Sequence, residues 1–308
     1  MTLTQLKYTL AVAEEGNFTI AADKCFVTQP TLSMQVQKLE EELGVKLFNR
    51  NTKPIKLTQI GNKILSQAKT IVEEAKRMDD IVAIEKGEVK GDFKLGIIPT
   101  VMPTLLPLFL NTFIKKYPKV NLKIEESTTT TIIDGLIEGK LDAGIAATPL
   151  DNPKLIEKAL YYEPFVGYIP KSHPLSKLDK INPDDINNMD ILVLEDGHCF
   201  RNHVLNICQT TRIAKSFDLK SGSFETLIHL ANEGMGMTLL PYLQTQGLST
   251  ENINNLRYFT SPEPAREISI VFSKSQLRLP IIEALSESIE GVIRGAIKFE
   301  NIRLISPR

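Results

Sequence analysis

The sequence predicts an α/β protein headed by an all-α winged helix-turn-helix unit, and three observations carry that expectation. Residues 1–57 hold three short helical patterns followed by a turn-rich basic stretch. From Thr58 to about Lys86 runs a longer helical pattern with no proline. Beyond Gly91, short apolar runs alternate with amphipathic helical patterns, as in an α/β sheet domain rather than a bundle or sandwich.

Leu6, Leu10, Val12 and Ala13 give the first helix an apolar side, and Gly16-Asn17 ends it. A short second helix covers residues 20–26. The third runs from Gln29 to about Leu43, with Leu32, Val36, Leu39 and Leu43 at helical spacing and Gly44 as the stop. Two helices joined by a tight connection at Val27-Thr28 make a helix-turn-helix candidate. Opposite the apolar stripe, Gln29, Ser33 and Gln37 recur every four residues, with Pro30, Thr31, Met34 and Lys38 beside them. Small and amide side chains of this kind enter a major groove and hydrogen-bond base edges. Residues 47–57 read as a wing-like hairpin whose Arg50 and Lys53 grip phosphates. Residues 1–60 carry seven Lys/Arg against six Asp/Glu, so a single copy attracts a polyanion weakly and several copies are expected to act together.

The long helix supplies the means. Ile60, Ile64, Ala68, Ile71, Ala75, Met78 and Val82 recur at steps of four and three, the seam of a short coiled coil that pairs two chains. Gly87 and Gly91 mark a linker. Strands are expected at 93–98, 120–125, 141–146, 165–169, 191–194, 237–240 and 268–272, with helices starting at Pro103 and Thr130 and a last one over 278–298. That order predicts a parallel-rich sheet. The domains are accordingly 1–58 (winged helix-turn-helix), 59–90 (linker and dimerisation helix), 91–300 (regulatory domain) and 301–308 (C-terminal tail).

Composition excludes several classes. An apolar fraction of 42% with 24% charged residues is ordinary for a globular protein with a full core. A net charge of −1 gives no global polybasic surface. Three cysteines and a start without leader-like order predict a reducing cytoplasm, where a disulfide is transient. Residues 95–114 are uncharged, but Pro99, Pro103 and Pro107 break them into a strand, a turn and a helix rather than a membrane span.

Two of the three cysteines, Cys199 and Cys208, lie nine positions apart in a segment of cationic and polar residues. His198 and Arg201 flank Cys199, and Asp196-Gly197 reads as the opening of a helix, so the thiol is placed where its thiolate is favoured. If 199–208 stays helical, the two Cα atoms stand roughly 13 Å apart, whereas a disulfide needs about 7 Å or less. Joining them would unwind local structure. Two readings stand: a redox sensor with a reactive and a resolving thiol, or two ordinary cysteines with one in the core. His198, Cys199, His203 and Cys208 do not follow zinc-ligand spacing, so no metal is expected. Cys25 sits on the apolar side of the second helix and is expected in the core.

The motifs Phe18-Thr19-Ile20-Ala21-Ala22, Thr28-Gln29-Pro30-Thr31-Leu32-Ser33, Leu39-Glu40-Glu41-Glu42-Leu43-Gly44 and Leu47-Phe48-Asn49-Arg50 resemble the winged helix-turn-helix of LysR-type transcriptional regulators. The likeness covers essentially the whole chain. Gly197-His198-Cys199-Phe200-Arg201 with Cys208 resembles the peroxide-sensing members, as do Gly139-Lys140-Leu141-Asp142 and Pro264-Ala265-Arg266. The resemblance implies two periplasmic-binding-protein-like α/β subdomains, at about 91–162 with 268–300 and at about 163–267. It implies a non-enzymatic activator of oxidative-stress genes, acting as a dimer of dimers on promoter DNA with RNA polymerase. Cys199 would be peroxidatic and Cys208 resolving, reset by a cellular thiol reductant, with no cofactor. Thr100, Thr129, His198 and Cys208 would line the peroxide pocket, with Asp142, Arg201 and Arg266 in its polar network. The helix from about Phe224 to Glu233 would lie at the dimer interface. One departure is local: peroxide-sensing members usually carry Asp-Gln where this chain has Asn202-His203. The alternative is a metabolite regulator, with Thr100, Thr128 to Thr131 and Thr148 receiving an organic anion.

Overall fold

The computed structural model describes residues 1–50, 52–85, 88–187, 189–208, 221–297 and 302–307; the linker glycine Gly87 lies outside them. The chain forms two compact units, Met1–Lys86 and Gly87–Arg308.

In the first unit α1 (Leu3–Glu15), α2 (Phe18–Lys24) and α3 (Gln29–Leu43) are set by local chemistry. Thr2 and Gln5 form a reciprocal cap on α1, and Asn17 caps α2. Gly16 and Gly44 end α1 and α3 in the left-handed region, at φ 59° and 68°, where a side chain would be strained. The wing is a short antiparallel pair, β1 (Phe48–Asn49) with β2 (Lys56–Leu57). Leu6, Val12, Phe18, Leu32, Val36, Leu39 and Leu47 make the core. Cys25 ends α2, partly buried against that core.

The long helix α4 (Gln59–Glu85) divides its apolar residues. Leu65, Ala68 and Val72 are buried in the first unit's own core, with Ile64 and Ile71 packed beside them. Ile60, Met78 and Val82 from the expected seam are exposed, as is Ile81. The seam is therefore not one continuous stripe: its middle is occupied within the unit, and its C-terminal part is free.

The second unit begins β3 (Gly91–Ile97), α5 (Met102–Lys116), β4 (Val120–Glu126), α6 (Thr129–Ile137), β5 (Ala143–Thr148) and β6 (Leu155–Tyr168). It continues β7 (Lys180–Ile181), β8 (Ile191–Leu192), α7 (Cys199–Ile207), α8 (Phe224–Asn232), β9 (Met237–Pro241), α9 (Tyr242–Thr245) and α10 (Thr250–Ile253). It ends with β10 (Leu256–Phe259), β11 (Glu263–Ser273), α11 (Leu279–Ala296) and β12 (Ile302–Leu304). The strand order is β4-β3-β5-β11-β6-β10-β7, with β12 on β11, β9 on β6 and β8 on β9. The flanks are parallel, but β11 runs antiparallel to both β5 and β6, and β6 antiparallel to β9 and β10. The sheet is thus less parallel than the alternation suggested.

Two apolar cores form around this sheet. One gathers Phe93, Ile97, Phe109, Phe113, Ile270 and Leu285; the other gathers Phe165, Tyr168, Ile181, Leu227, Leu240 and Phe259. β6 serves both, with Tyr161 in the first and Phe165 in the second. The expected subdomain limits at 162/163 and 267/268 fall inside β6 and β11, so strands rather than loops cross between the halves. The expected C-terminal tail is no loose end either. Ile302–Leu304 pairs in parallel with Glu263, Pro264 and Ala265 of β11.

Candidate functional site

The site is assembled at the first turn of α7. Gly197, at φ 95° with open space around it, turns the chain into that helix. Cys199 is the first helical residue, and its side chain packs against the first core. A tight pocket at the sulphur is lined by Ile98, Pro99, Thr100, Thr129, His198 and Cys199. It adjoins a cleft of about 280 Å³ whose walls include Thr129, His198, Cys199, Leu150, Asn202 and Pro307.

Beneath the pocket lies Arg266, fully buried although charged. Its placement follows from strand register, since Arg266 of β11 faces Glu163 of β6 in the antiparallel ladder. Arg266 Nε and Nη2 donate to Glu163 Oε2 at 3.0 and 2.7 Å. Nη1 donates to Thr100 Oγ1 at 2.9 Å and Nη2 to the Thr100 carbonyl at 3.0 Å. Glu163 Oε1 accepts from the Leu243 backbone N–H at 2.9 Å. A buried charge pair satisfied on both sides in this way holds its geometry, because losing either member strands the other. The guanidinium also lies over the Phe200 ring, 5.2 Å from its centroid.

Burial pushes the Cys199 thiol up, and the Arg266 charge is the largest influence against that rise. The Thr129 hydroxyl and the backbone N–H groups of Phe200 and Cys199 also favour the thiolate. Thr129 Oγ1 is buried and makes no hydrogen bond of ordinary geometry among the described residues. Burial wins, and the resting thiol stays protonated at neutral pH. Of the two arginines expected there, the distant Arg266 is the charge that acts on the thiol, and the adjacent Arg201 is committed elsewhere. Arg201 Nη1 donates to the Leu194 carbonyl at 3.1 Å and Nε pairs with Asp196 at 2.9 Å, which ties down the preceding loop.

Asp142 is also elsewhere. It precedes β5, at the opposite end from the pocket, where it accepts from Lys94 N at 2.8 Å and pairs with Arg278 at 2.8 Å. Glu163 fills the acidic role expected of Asp142. Sequence reading missed it; its signal was a lone acid ahead of the apolar run Pro164-Phe165-Val166.

Cys208 ends α7, buried in the second core, and burial pushes its thiol up to about 12. It lines neither cavity, contrary to expectation. The two sulphurs thus belong to different cores at opposite ends of one helix. Between them His203 is fully buried. Its Nδ1 lies 2.9 Å from the Cys199 carbonyl, so Nδ1–H donates, and the bare Nε2 finds no partner among the described residues. Burial, then the Arg266 charge, lower its pKa to about 3. Among the described residues no group of three or more His, Cys, Asp or Glu is arranged to hold a metal.

In the first unit Gln29, Pro30, Thr31, Met34, Gln37, Lys38 and Lys53 are exposed, and Ser33 is half-buried. They share the open face of α3 and the wing. Arg50 is committed elsewhere than expected: Nη2 donates to the buried Glu40 at 3.1 Å, and the guanidinium covers Phe18 at 5.1 Å. Glu40 also accepts from Leu47 N at 2.8 Å, so this cluster anchors the wing.

A winged helix-turn-helix unit on one chain with a two-core α/β unit defines a two-part DNA-binding regulator. Residues 3–62 match the model of the bacterial regulatory helix-turn-helix proteins of the lysR family, and residues 86–293 match the LysR substrate binding domain. The chain belongs to the LysR family, in its OxyR branch. It is 32% identical to the hydrogen peroxide-inducible genes activator of Haemophilus influenzae, over 96% of this chain and 99% of that one. It is also 32% identical to the DNA-binding transcriptional dual regulator OxyR of Escherichia coli, over 96% and 97%. Full-length OxyR of Pseudomonas aeruginosa, with a cysteine-to-aspartate change, superimposes with a TM-score of 0.72 at 34% identity, covering 94% of each chain. A cysteine-to-serine mutant OxyR from Corynebacterium glutamicum, bound to hydrogen peroxide, gives 0.64 at 27% identity over 96% and 93%. No helix among the described residues is long and apolar enough to cross a membrane.

Proposed function

We propose that this protein is a cytoplasmic transcriptional activator switched by hydrogen peroxide through Cys199. One observation carries the reading: Cys199 opens α7 inside a pocket walled by Thr100 and Thr129 and backed by Arg266, while Cys208 closes the same helix. The names of the relatives agree with it.

The chemistry follows from the groups present. Peroxide enters the pocket and accepts hydrogen bonds from the two threonine hydroxyls. His198, in the pocket wall, takes the thiol proton, and Arg266 with the α7 N-terminus holds the thiolate. The Cys199 sulphur attacks one peroxide oxygen; the O–O bond breaks and the departing hydroxide takes a proton and leaves as water. Cys199 is then a sulfenic acid. The Cys208 thiol attacks that sulphur, forming S–S and releasing a second water. With the Cα atoms roughly 13 Å apart in the helix, α7 must unwind for this step. A thiol reductant restores the dithiol by exchange.

Exposed Met78, Ile81 and Val82 on α4 supply a dimerisation seam, and the open face of α3 reads promoter DNA, with RNA polymerase as the partner in activation. The metabolite reading fares less well. Arg266 is already neutralised by Glu163, and Thr148 is bonded to Glu267 at 2.7 Å, so the cleft offers an organic anion no free buried cation among the described residues.

Non-reducing peptide mapping after one equivalent of peroxide tests the proposal. A Cys199–Cys208 linkage with a shifted DNA footprint is expected. A Cys199→Ser protein that still changes its footprint on peroxide addition would sink it.

A further inference from the structure

We propose that residues 302–307 form a strap that holds α7 helical, with Asn202 and Asn206 as the positioning residues that clasp it. The inference rests on the peroxide-switch reading for its purpose, but not for its geometry. β12 adds to β11 beside Glu263, Pro264 and Ala265, and Ile305 N donates to the Ala265 carbonyl at 2.8 Å. The strap is thereby fixed one residue from Arg266. Ile305 then packs against the second core.

From there the chain crosses α7. Asn206 Nδ2 donates to the Ser306 carbonyl at 2.9 Å, and Asn202 Nδ2 donates to the Pro307 carbonyl at 3.0 Å. The two asparagines are one helical turn apart, on the side of α7 away from the buried Phe200, His203, Val204 and Ile207. The helix is therefore gripped from both sides, by the second core and by the strap. Pro307 is buried and forms part of the wall of the cleft that holds His198 and Cys199. The segment expected as a C-terminal tail thus touches the helix, the cleft and the strand that carries the buried arginine.

The consequence concerns the second chemical step. When the Cys208 sulphur displaces the sulfenic oxygen as water, α7 has to open, and both asparagine donors have to leave their acceptors. The strap therefore lengthens the life of the sulfenic acid and sets how readily one oxidation becomes a change of shape. Losing two hydrogen bonds of ordinary strength corresponds to roughly a tenfold change in the opening equilibrium.

The test uses the full-length protein and two measurements. In the dithiol form, amide hydrogen exchange across 199–208 should quicken roughly tenfold in Asn202→Ala/Asn206→Ala. After one equivalent of peroxide, mass spectrometry of quenched samples should show the sulfenic acid passing to the disulfide roughly tenfold sooner in that variant. A second protein ending at residue 301 should show both effects more strongly. Unchanged α7 exchange in the double variant overturns the strap. Faster exchange with an unchanged sulfenic lifetime also overturns it, because the contacts then only add stability. If the unaltered protein makes no Cys199–Cys208 bond, the peroxide-switch reading fails, while the exchange measurement still decides whether the strap holds α7.

Discussion

Replacing Arg266 by methionine separates the two tasks of that side chain. The pair Arg266–Glu163 is fully buried, with the charges bonded at 2.7 and 3.0 Å and Thr100 taking two further guanidinium bonds. Removing one member of such a pair leaves the other charge stranded and costs about 3–5 kcal/mol. Arg266→Met and Glu163→Gln should each lower stability by that amount. The double variant strands no charge, so its loss should be about 2 kcal/mol or more smaller than the sum of the singles. Reactivity should behave differently. Arg266 is the largest influence keeping the Cys199 thiol from rising further, so its loss leaves less thiolate at a fixed neutral pH. Sulfenic acid formation should slow in Arg266→Met and stay slow in the double variant. Urea unfolding of the second unit and stopped-flow oxidation of Cys199 measure the two effects. Additive stability losses would refute the coupled pair, and a double variant reacting at the normal rate would show that Arg266 only fills space.

Three further predictions follow from other parts of the molecule. His203 titrates near 3 when folded against 6.5 ordinarily, so the unfolded chain binds its proton first. Its contribution is complete above about pH 6.5 and is lost as the pH falls towards 3, with a slope of up to about 1.4 kcal/mol per pH unit that His203→Gln should remove from urea midpoints. Phe26 is 95% exposed at φ 56°, a conformation that costs a bulky residue free energy and that asparagine tolerates. Phe26→Asn should therefore stabilise the first unit by about 1 kcal/mol in thermal melts, and a lower melting temperature would contradict the strain. Lys53 is exposed on the wing, so Lys53→Ala should lower the salt dependence of promoter binding by about one phosphate contact per copy, while Arg50→Ala should mainly lower stability.

Local features were legible in the sequence because local chemistry decides them. The stops of α1 and α3 at Gly16 and Gly44, the wing and the helix opening at Cys199 are all written in neighbouring residues. The pocket was only half legible. Thr100, Thr129 and His198 meet at the sulphur, and β-ladder register brings in Arg266, which only the resemblance had pointed to; Arg201, placed beside Cys199 by nearness in sequence, is tied to the preceding loop instead. Glu163 escaped notice for the same reason, since its partner lies 103 positions away. The first half of β6 was missed because Glu157, Lys158 and Glu163 interrupt its apolar pattern, although pairing with β11 fixes it as a strand. Residues 302–304 carry no strand signal of their own; the free edge of β11 makes them one.

Phe200, directly after Cys199, packs at a tilt against Phe165 with centroids 5.3 Å apart and meets the edge of Phe224 on α8 at 4.9 Å. No unwinding of the first turn of α7 can leave that ring in place. When it goes, Phe224 loses its aromatic neighbour, and α8 must either settle into the vacated volume or shift outward. On the proposed switch, a two-electron event on the Cys199 sulphur is thereby geared to a whole helix through a single phenyl group.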